Sequence, residues 1–272
     1  MIGAIIGDVV GSRFEFNNIK TKKFELLTEQ SVFTDDTVLT IAVLDWCLNS
    51  KDKSDDKEAI YYLQKWAKKY PNAGYGGMFY RWKDKEIPKP YYSCGNGSAM
   101  RISPVAWAFE DKEEMLRAVR TITSITHNHP EGIKGAEVTA MLIYLARQGA
   151  TKAELKEYAL KEYPEIKELK YEELVKTYSH GPEICQLTVP QAVYCFLISE
   201  SFEDCLRTTI SIGGDCDTTS AISCAIAEAF YEGIPLTLMY GVKSKLSEEM
   251  NVLLNCFEKK YIRGEKICWT KK

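Results

Sequence analysis

Residues 32–42, VFTDDTVLTIA, set a hydroxyl, two carboxylates and a second hydroxyl directly before an apolar run. Residues 213–222, GGDCDTTSAI, repeat that chemistry with different spacing. Ionised carboxylates are costly near a core unless something neutralises them. Helix capping accounts for either stretch alone, because Asp, Ser and Thr favour helix starts and complement the dipole. One cap, however, needs one acceptor, and paired Asp with flanking hydroxyls exceed that need twice in one chain. Asp35, Asp36, Asp215 and Asp217, with Thr34, Thr37 and Thr218, form an all-oxygen donor set. Such a set suits a hard cation, Mg²⁺, Mn²⁺ or Ca²⁺, rather than zinc or copper. Mutual repulsion among the carboxylates argues for two ions bridged by shared Asp, roughly 3.5–4 Å apart, that orient a substrate and an attacking water. Their distance along the chain leaves open whether the two stretches meet.

Other stretches offer ligand-gripping chemistry. GYGGM at 74–78 can expose successive backbone N–H groups as an anion-binding nest. SCGNGSAMR at 93–101 carries amide, hydroxyl and N–H donors, with Tyr91 and Tyr92 nearby as stacking surfaces. Either can equally be a structural turn. A nest, an aromatic platform and a metal pair together fit a nucleotide-containing ligand. His127 and His129 form a His-x-His pair, but the hard-oxygen donors elsewhere argue against a metal role. One is expected to contact ligand and the other to cap or fill space. Cys94 has no paired base to activate it as a nucleophile. Gly3, Gly7 and Gly11 recur every fourth residue, a smooth helix face for close packing, and Glu15 follows them in a turn-like setting.

The elements that must position these residues are helical, since 3.6-residue periodicity dominates and strand alternation is hard to find. Val38 to Leu48 reads as an apolar helix; Asp55 and Glu58 have capping-box spacing ahead of AIYYLQKWAKKY, which Pro71 stops. Residues 71–104 are rich in Gly, Pro and aromatics and read as a long irregular, functional loop. Helices resume at KEEMLRAVRTITSIT and GIKGAEVTAMLIYLARQ, the latter closed by Gly149. Thr151 and Glu154 cap another helix, Pro164 breaks it, and a charged helix runs to about Tyr178; the stretch 151–177 reads as a solvated face. QAVYCFLIS and EDCLRTTISI precede a final buried helix, SAISCAIAEAFY, closed by Gly233 and Pro235.

At 272 residues, with 45% apolar side chains and no repeat or linker, residues 1–272 are expected to form one all-α domain. A net charge of −3 gives no reason to expect a nucleic-acid-coating protein. The nine cysteines are scattered, from Cys47 to Cys268, without CxxC or zinc spacing, and read as free, largely buried thiols of a reducing compartment. Asp8 interrupts the first apolar stretch, and no segment reaches membrane-spanning length, so a cytoplasmic location is expected.

The ordered set GDVVGSRFE, FTDDT, GYGG, GNGSAMR, THNHPEGIKGA and GGDCDT closely resembles the ADP-ribosylglycohydrolase family, which includes the dinitrogenase reductase-activating glycohydrolase. The motifs span residues 7 to 218; each is weak alone, and six in order are specific. The resemblance implies an all-α orthogonal multi-helical bundle with a binuclear Mg²⁺ (or Mn²⁺) centre and a cleft for an ADP-ribosylated substrate. By motif match, Thr34, Asp35, Asp36, Asp215, Asp217 and Thr218 are the implied metal ligands. Glu15 is the implied acid/base, with Asp36 as second choice. Tyr75, Gly76 and Gly77 are implied at the pyrophosphate; Ser93, Asn96, Gly97 and Met100 along the ribose and phosphate path; His127 against the ligand. Cys94 stands where many relatives carry an aromatic, so Tyr91 or Tyr92 is the expected stacking partner.

The implied reaction is hydrolysis of the bond at the anomeric carbon of the distal ribose, releasing ADP-ribose. No motif reports the acceptor, whether Arg, Ser, a nucleobase or an acyl group, so an O-acyl-ADP-ribose hydrolase is the enzymatic alternative. A non-catalytic, crystallin-like binder is the alternative from another class, and the intact carboxylate set argues against it.

Overall fold

The computed structural model describes residues 1–231 and 233–262. Cys268 lies outside the described residues. The chain is an all-α bundle, and among the described residues the sole strand-like pairing is an isolated antiparallel bridge between Gly95 and Ile184. Helices α1 (Ile2–Gly11), α2 (Asp35–Asn49), α3 (Asp56–Lys69), α4 (Gly77–Trp82), α5 (Gly97–Met100), α6 (Ser103–Ala108), α7 (Lys112–Ser124) and α8 (Pro130–Arg147) make the first part. Then follow α9 (Lys152–Glu162), α10 (Tyr171–Thr177), α11 (Cys185–Ile198), α12 (Phe202–Ile212), α13 (Cys216–Tyr231), α14 (Leu236–Lys243) and α15 (Glu248–Phe257). One continuous apolar core takes side chains from Met1 to Phe257.

At the centre, α13 packs along α1 and also touches α8, α11 and α12. Small residues make this possible. A Cβ added to Gly11 would stand 2.7 Å from the Asp217 Cα, closer than real side chains approach, so only glycine lets α1 lie against the start of α13. The stripe of Gly3, Gly7 and Gly11 is therefore a packing surface, and it sets Asp8 and Asp217 on neighbouring helices.

Several local readings change. The capping box at Asp55 does not close: Asp55 caps Lys57 N–H at 2.8 Å, while Glu58 turns back to accept from Lys51 N–H at 2.7 Å. Thr151 and Glu154 do form theirs. Residues 71–104 contain α4, α5 and the start of α6, helices too short to leave a periodic signature. The charged segment after Pro164 divides into a 3₁₀ turn at Pro164–Glu168 and α10. Helix α11 starts at Cys185 and includes Pro190; Cys185 N–H donates to Cys94 O at 2.9 Å, tying that start to the preceding loop. Gly149, at φ +83°, ends α8 in the left-handed conformation expected after a helix.

Eight cysteines within the described residues are unpaired thiols, and all but Cys94 and Cys256 are buried. Among the described residues, no helix is long and apolar enough to cross a membrane.

Candidate active site

The two acidic stretches meet. Asp35 and Asp36 open α2, Asp217 and Thr218 open α13, and Thr218 Oγ1 donates to Asp36 Oδ2 at 3.0 Å. Thr34 Oγ1 lies 3.5 Å from Asp217 Oδ2. The turn before α13 needs two successive left-handed residues, which Gly213 (φ +80°) and Gly214 (φ +74°) supply without the strain a Cβ would bring.

Two residues that sequence reading passed over assemble this wall. Asp8, buried on α1, accepts from Thr34 N–H at 3.0 Å, Thr34 Oγ1 at 2.8 Å and Thr37 N–H at 3.0 Å, so it caps α2 from a neighbouring helix. Asn18 staples two turns together. Its Nδ2 donates to Phe14 O, Glu15 O and Gly214 O at 2.7–3.0 Å, and its Oδ1 accepts from Gly214 N–H at 2.8 Å. Glu15 is thereby delivered to the turn holding Asp215. A polar residue three places beyond Glu15 is the only signal that could have suggested Asn18, and it is weak.

Glu15, Asp215 and Asp217 each offer a carboxylate oxygen within 4.8 Å of the others. Buried oxygens Asp36 Oδ1 and Asp217 Oδ1 have no hydrogen-bond partner among the described residues. Burial first, then neighbouring carboxylates, hold Asp36 and Asp217 well above the usual carboxylate range. Burial and the Asp215 charge push Glu15 up to about 7. Orphaned buried anions in an all-oxygen set are what a hard divalent cation would neutralise, so these residues fit one.

These carboxylates form one wall of a cavity of about 510 Å³, within the usual range for small-molecule sites. Glu15, Asp35, Asp36, Asp215, Asp217 and Thr218 line it. Gly76, Gly77, Ser93, Asn96, Gly97, Met100 and His127 complete the lining. Asn96 Nδ2 donates to Asp215 Oδ2 at 2.6 Å, joining α5 to the acidic wall. Thr34 does not line the cavity; its hydroxyl is spent on Asp8 behind it. Tyr75 does not line it either: its ring packs on Phe79 and its hydroxyl donates to Tyr70 O at 2.9 Å, which leaves the glycines beside it to face a ligand.

Of the two tyrosines, Tyr91 lines the cavity, while Tyr92 is exposed, has φ +54°, and sets its ring against His129. The two histidines divide as expected in part: His129 Nδ1 caps α8 by accepting from Glu131 N–H at 3.1 Å, and His127 is buried on the cavity wall. Arg101, also on that wall and 1% exposed, is a further residue that sequence reading missed; nothing in GNGSAMR signals that its last side chain turns inward.

A family model described as ADP-ribosylglycohydrolase matches residues 1–262. The Mus musculus protein named ADP-ribosylhydrolase ARH3 is 27% identical over 306 residues, spanning 85% of this chain and 82% of that protein. ADP-ribosyl-(dinitrogen reductase) glycohydrolase of Rhodospirillum rubrum is 24% identical, spanning 92% and 90%. ADP-ribosylarginine hydrolase Tri1 of Pseudomonas putida is 23% identical, spanning 86% and 71%. A solved structure described as an ADP-ribosylglycohydrolase-related protein complex superposes with a TM-score of 0.68 over 95% of this chain and 96% of its own, at 24% identity, a likeness of fold.

Proposed function

Because the chain belongs to the ADP-ribosylglycohydrolase family, we propose that it hydrolyses the glycosidic bond between the distal ribose of ADP-ribose and an acceptor, using two Mg²⁺ ions, with Mn²⁺ as a substitute. The observation that carries this reading is the convergence of Glu15, Asp36, Asp215, Asp217 and Thr218 on one wall of a nucleotide-sized cavity. Asp36, Asp215, Asp217 and Thr218 would hold the ions with Asp35 and Glu15, and Thr34 would brace them from behind. When bound, the ions supply positive charge that fixes the sugar hydroxyls and polarises water.

The rest follows from the chain's own groups. Breaking the bond builds positive charge on the ribose. Glu15 faces the cavity from a half-buried turn with its proton affinity raised, so it can take a proton from the attacking water. Asp36 is the second choice for that role, since its free Oδ1 also needs a partner. Gly76 and Gly77, at the start of α4, bring first-turn N–H groups that lack intrahelical partners toward a pyrophosphate. Ser93, Asn96, Gly97 and Met100 line the path between phosphate and ribose. Tyr91 is the proposed stacking surface, although Phe16 and Phe79 also line the cavity.

Relatives named for ADP-ribosylarginine and for dinitrogen reductase make protein-linked ADP-ribose the first substrate class to try. The test is a panel of ADP-ribosyl-arginine, ADP-ribosyl-serine, O-acyl-ADP-ribose and ADP-ribosylated nucleobase, each assayed with Mg²⁺ and with chelator. Release of ADP-ribose that stops on chelation supports the proposal. Tight ADP-ribose binding with no turnover of any linkage would make the chain a binder instead.

A further inference from the structure

We infer that Arg101 and Thr126 are positioning residues that hold the His127 ring in its Nε2–H tautomer, so that it presents a neutral hydrogen-bond donor to the ligand. The ligand's identity rests on the function proposed above; the tautomer rests on geometry alone.

Arg101 can only donate, and its Nη2 gives a hydrogen bond to Thr126 Oγ1 at 2.7 Å. The Thr126 oxygen is thus an acceptor there and has one proton to place. The Tyr91 hydroxyl also lies beside the Thr126 side chain and carries its own proton to donate. The acceptors left for the Thr126 proton are His127 Nδ1 at 2.8 Å and Thr123 O at 3.3 Å. The second is beyond the normal O–H···O range, and Thr123 O already accepts from His127 N–H at 2.8 Å and Thr126 N–H at 3.1 Å. The hydroxyl proton therefore goes to Nδ1. A neutral imidazole with Nδ1 accepting carries its hydrogen on Nε2.

Nε2 is the nitrogen on the cavity side. It lies 3.3 Å from where a Cβ on Gly97 would stand and 3.4 Å from one on Gly95, so both glycines keep its approach open. It makes no hydrogen bond to the described residues. Burial and the Arg101 charge hold the imidazole well below its ordinary range, which keeps it uncharged. The other titratable ring beside it is Tyr91, 6.0 Å away between centroids. Such a group can donate to a phosphate or ribose oxygen and is ill-suited to remove a proton from water. The burial of Arg101, a charge with no carboxylate in hydrogen-bond contact among the described residues, then has a purpose: it orients a neighbour.

The test is imidazole ¹⁵N NMR on the histidine-labelled full chain without ligand, with assignment by His129→Gln and His180→Gln. A single neutral His127 tautomer protonated at Nε2 is expected in the wild type and in Thr126→Ser, and a mixture in Thr126→Val. An Nδ1-protonated ring in the wild type, or an unchanged ring in Thr126→Val, overturns the inference. If Thr126→Val does not fold, the wild-type and Thr126→Ser spectra still decide. ADP-ribose affinity should fall up to about tenfold in Thr126→Val, the scale of one hydrogen bond, and by much less in Thr126→Ser. Because the spectrum is read without substrate, absence of turnover on every linkage would sink the proposed function and leave the tautomer standing or falling separately.

Discussion

In the acidic wall of the cavity, Asp36 and Asp217 each keep a buried oxygen without a partner among the described residues, on helix starts locked by glycine packing and by Asp8. The rest of the lining comes from turns and short helices. Gly76, Gly77 and Gly97 withhold side chains there, and the buried polar groups Arg101, Thr126 and His127 bond one another. The acidic wall concentrates like charge that opposes folding unless something positive enters. The glycine-rich lining is shaped by what it lacks, leaving room and donors for an anionic ligand. The difference separates two kinds of importance: one wall should trade stability for activity, and the other should govern affinity with little effect on stability.

The largest expected effect is on the acidic wall. Asp36→Asn combined with Asp217→Asn should bring turnover and saturable Mg²⁺ binding below detection, while the chelated protein melts at a higher temperature than wild type. Calorimetry in chelator with a product assay checks both; a lower melting temperature would show that the carboxylates are not in mutual strain. Next, Glu15→Gln should reduce kcat by about 10²–10⁴-fold, the usual range for losing acid–base help, with Mg²⁺ binding weakened less than in the double variant. Isothermal titration alongside kinetics separates the two effects.

A smaller effect concerns pH. Carboxylates whose folded pKa lies above the unfolded one contribute stability that is present at low pH and lost as pH rises through the folded value. Asp36, Asp217 and Asp35 are shifted that way by burial first and then by neighbouring carboxylates, Asp8 and Asp215 among them, and Glu15 to about 7. The cation requires them ionised. The rise in melting temperature on adding excess Mg²⁺ should therefore be larger at about pH 8 than at about pH 5. An equal rise at both values would mean that the ion binds elsewhere. The smallest effect on the fold is expected at Gly76, where an added Cβ meets nothing within 4 Å and φ is −56°. Gly76→Ala should leave the melting temperature unchanged within about 1 °C, since surface substitutions usually cost under about 0.5 kcal/mol. The same change should weaken ADP-ribose binding by a measurable factor in a competition assay.

How much of the site could be read in advance differs between the walls for the same reason. Thr34, Asp35 and Asp36 advertise themselves because excess oxygen donors at a helix start are a local anomaly, visible without knowing what lies nearby. Asp8 reads as a mere interruption of an apolar stretch, because its partners, Thr34 and Thr37, come from another helix. Tyr75 sits inside a glycine motif, yet its ring turns to Phe79 and the core, a choice made by packing. The short helices α4 to α6 escape notice because four to six residues cannot display a periodic face.

By itself the sequence determined the all-α class, the main helices, the packing role of Gly3, Gly7 and Gly11, and the two acidic stretches, since caps, periodicity and small-residue stripes act over a few residues. The tertiary structure alone decided that these stretches share one wall, that Asn18 ties Glu15 to them, and that Arg101 points inward beside His127. Those outcomes depend on contacts between segments far apart in the chain, whose energies are fixed only when the core closes around them.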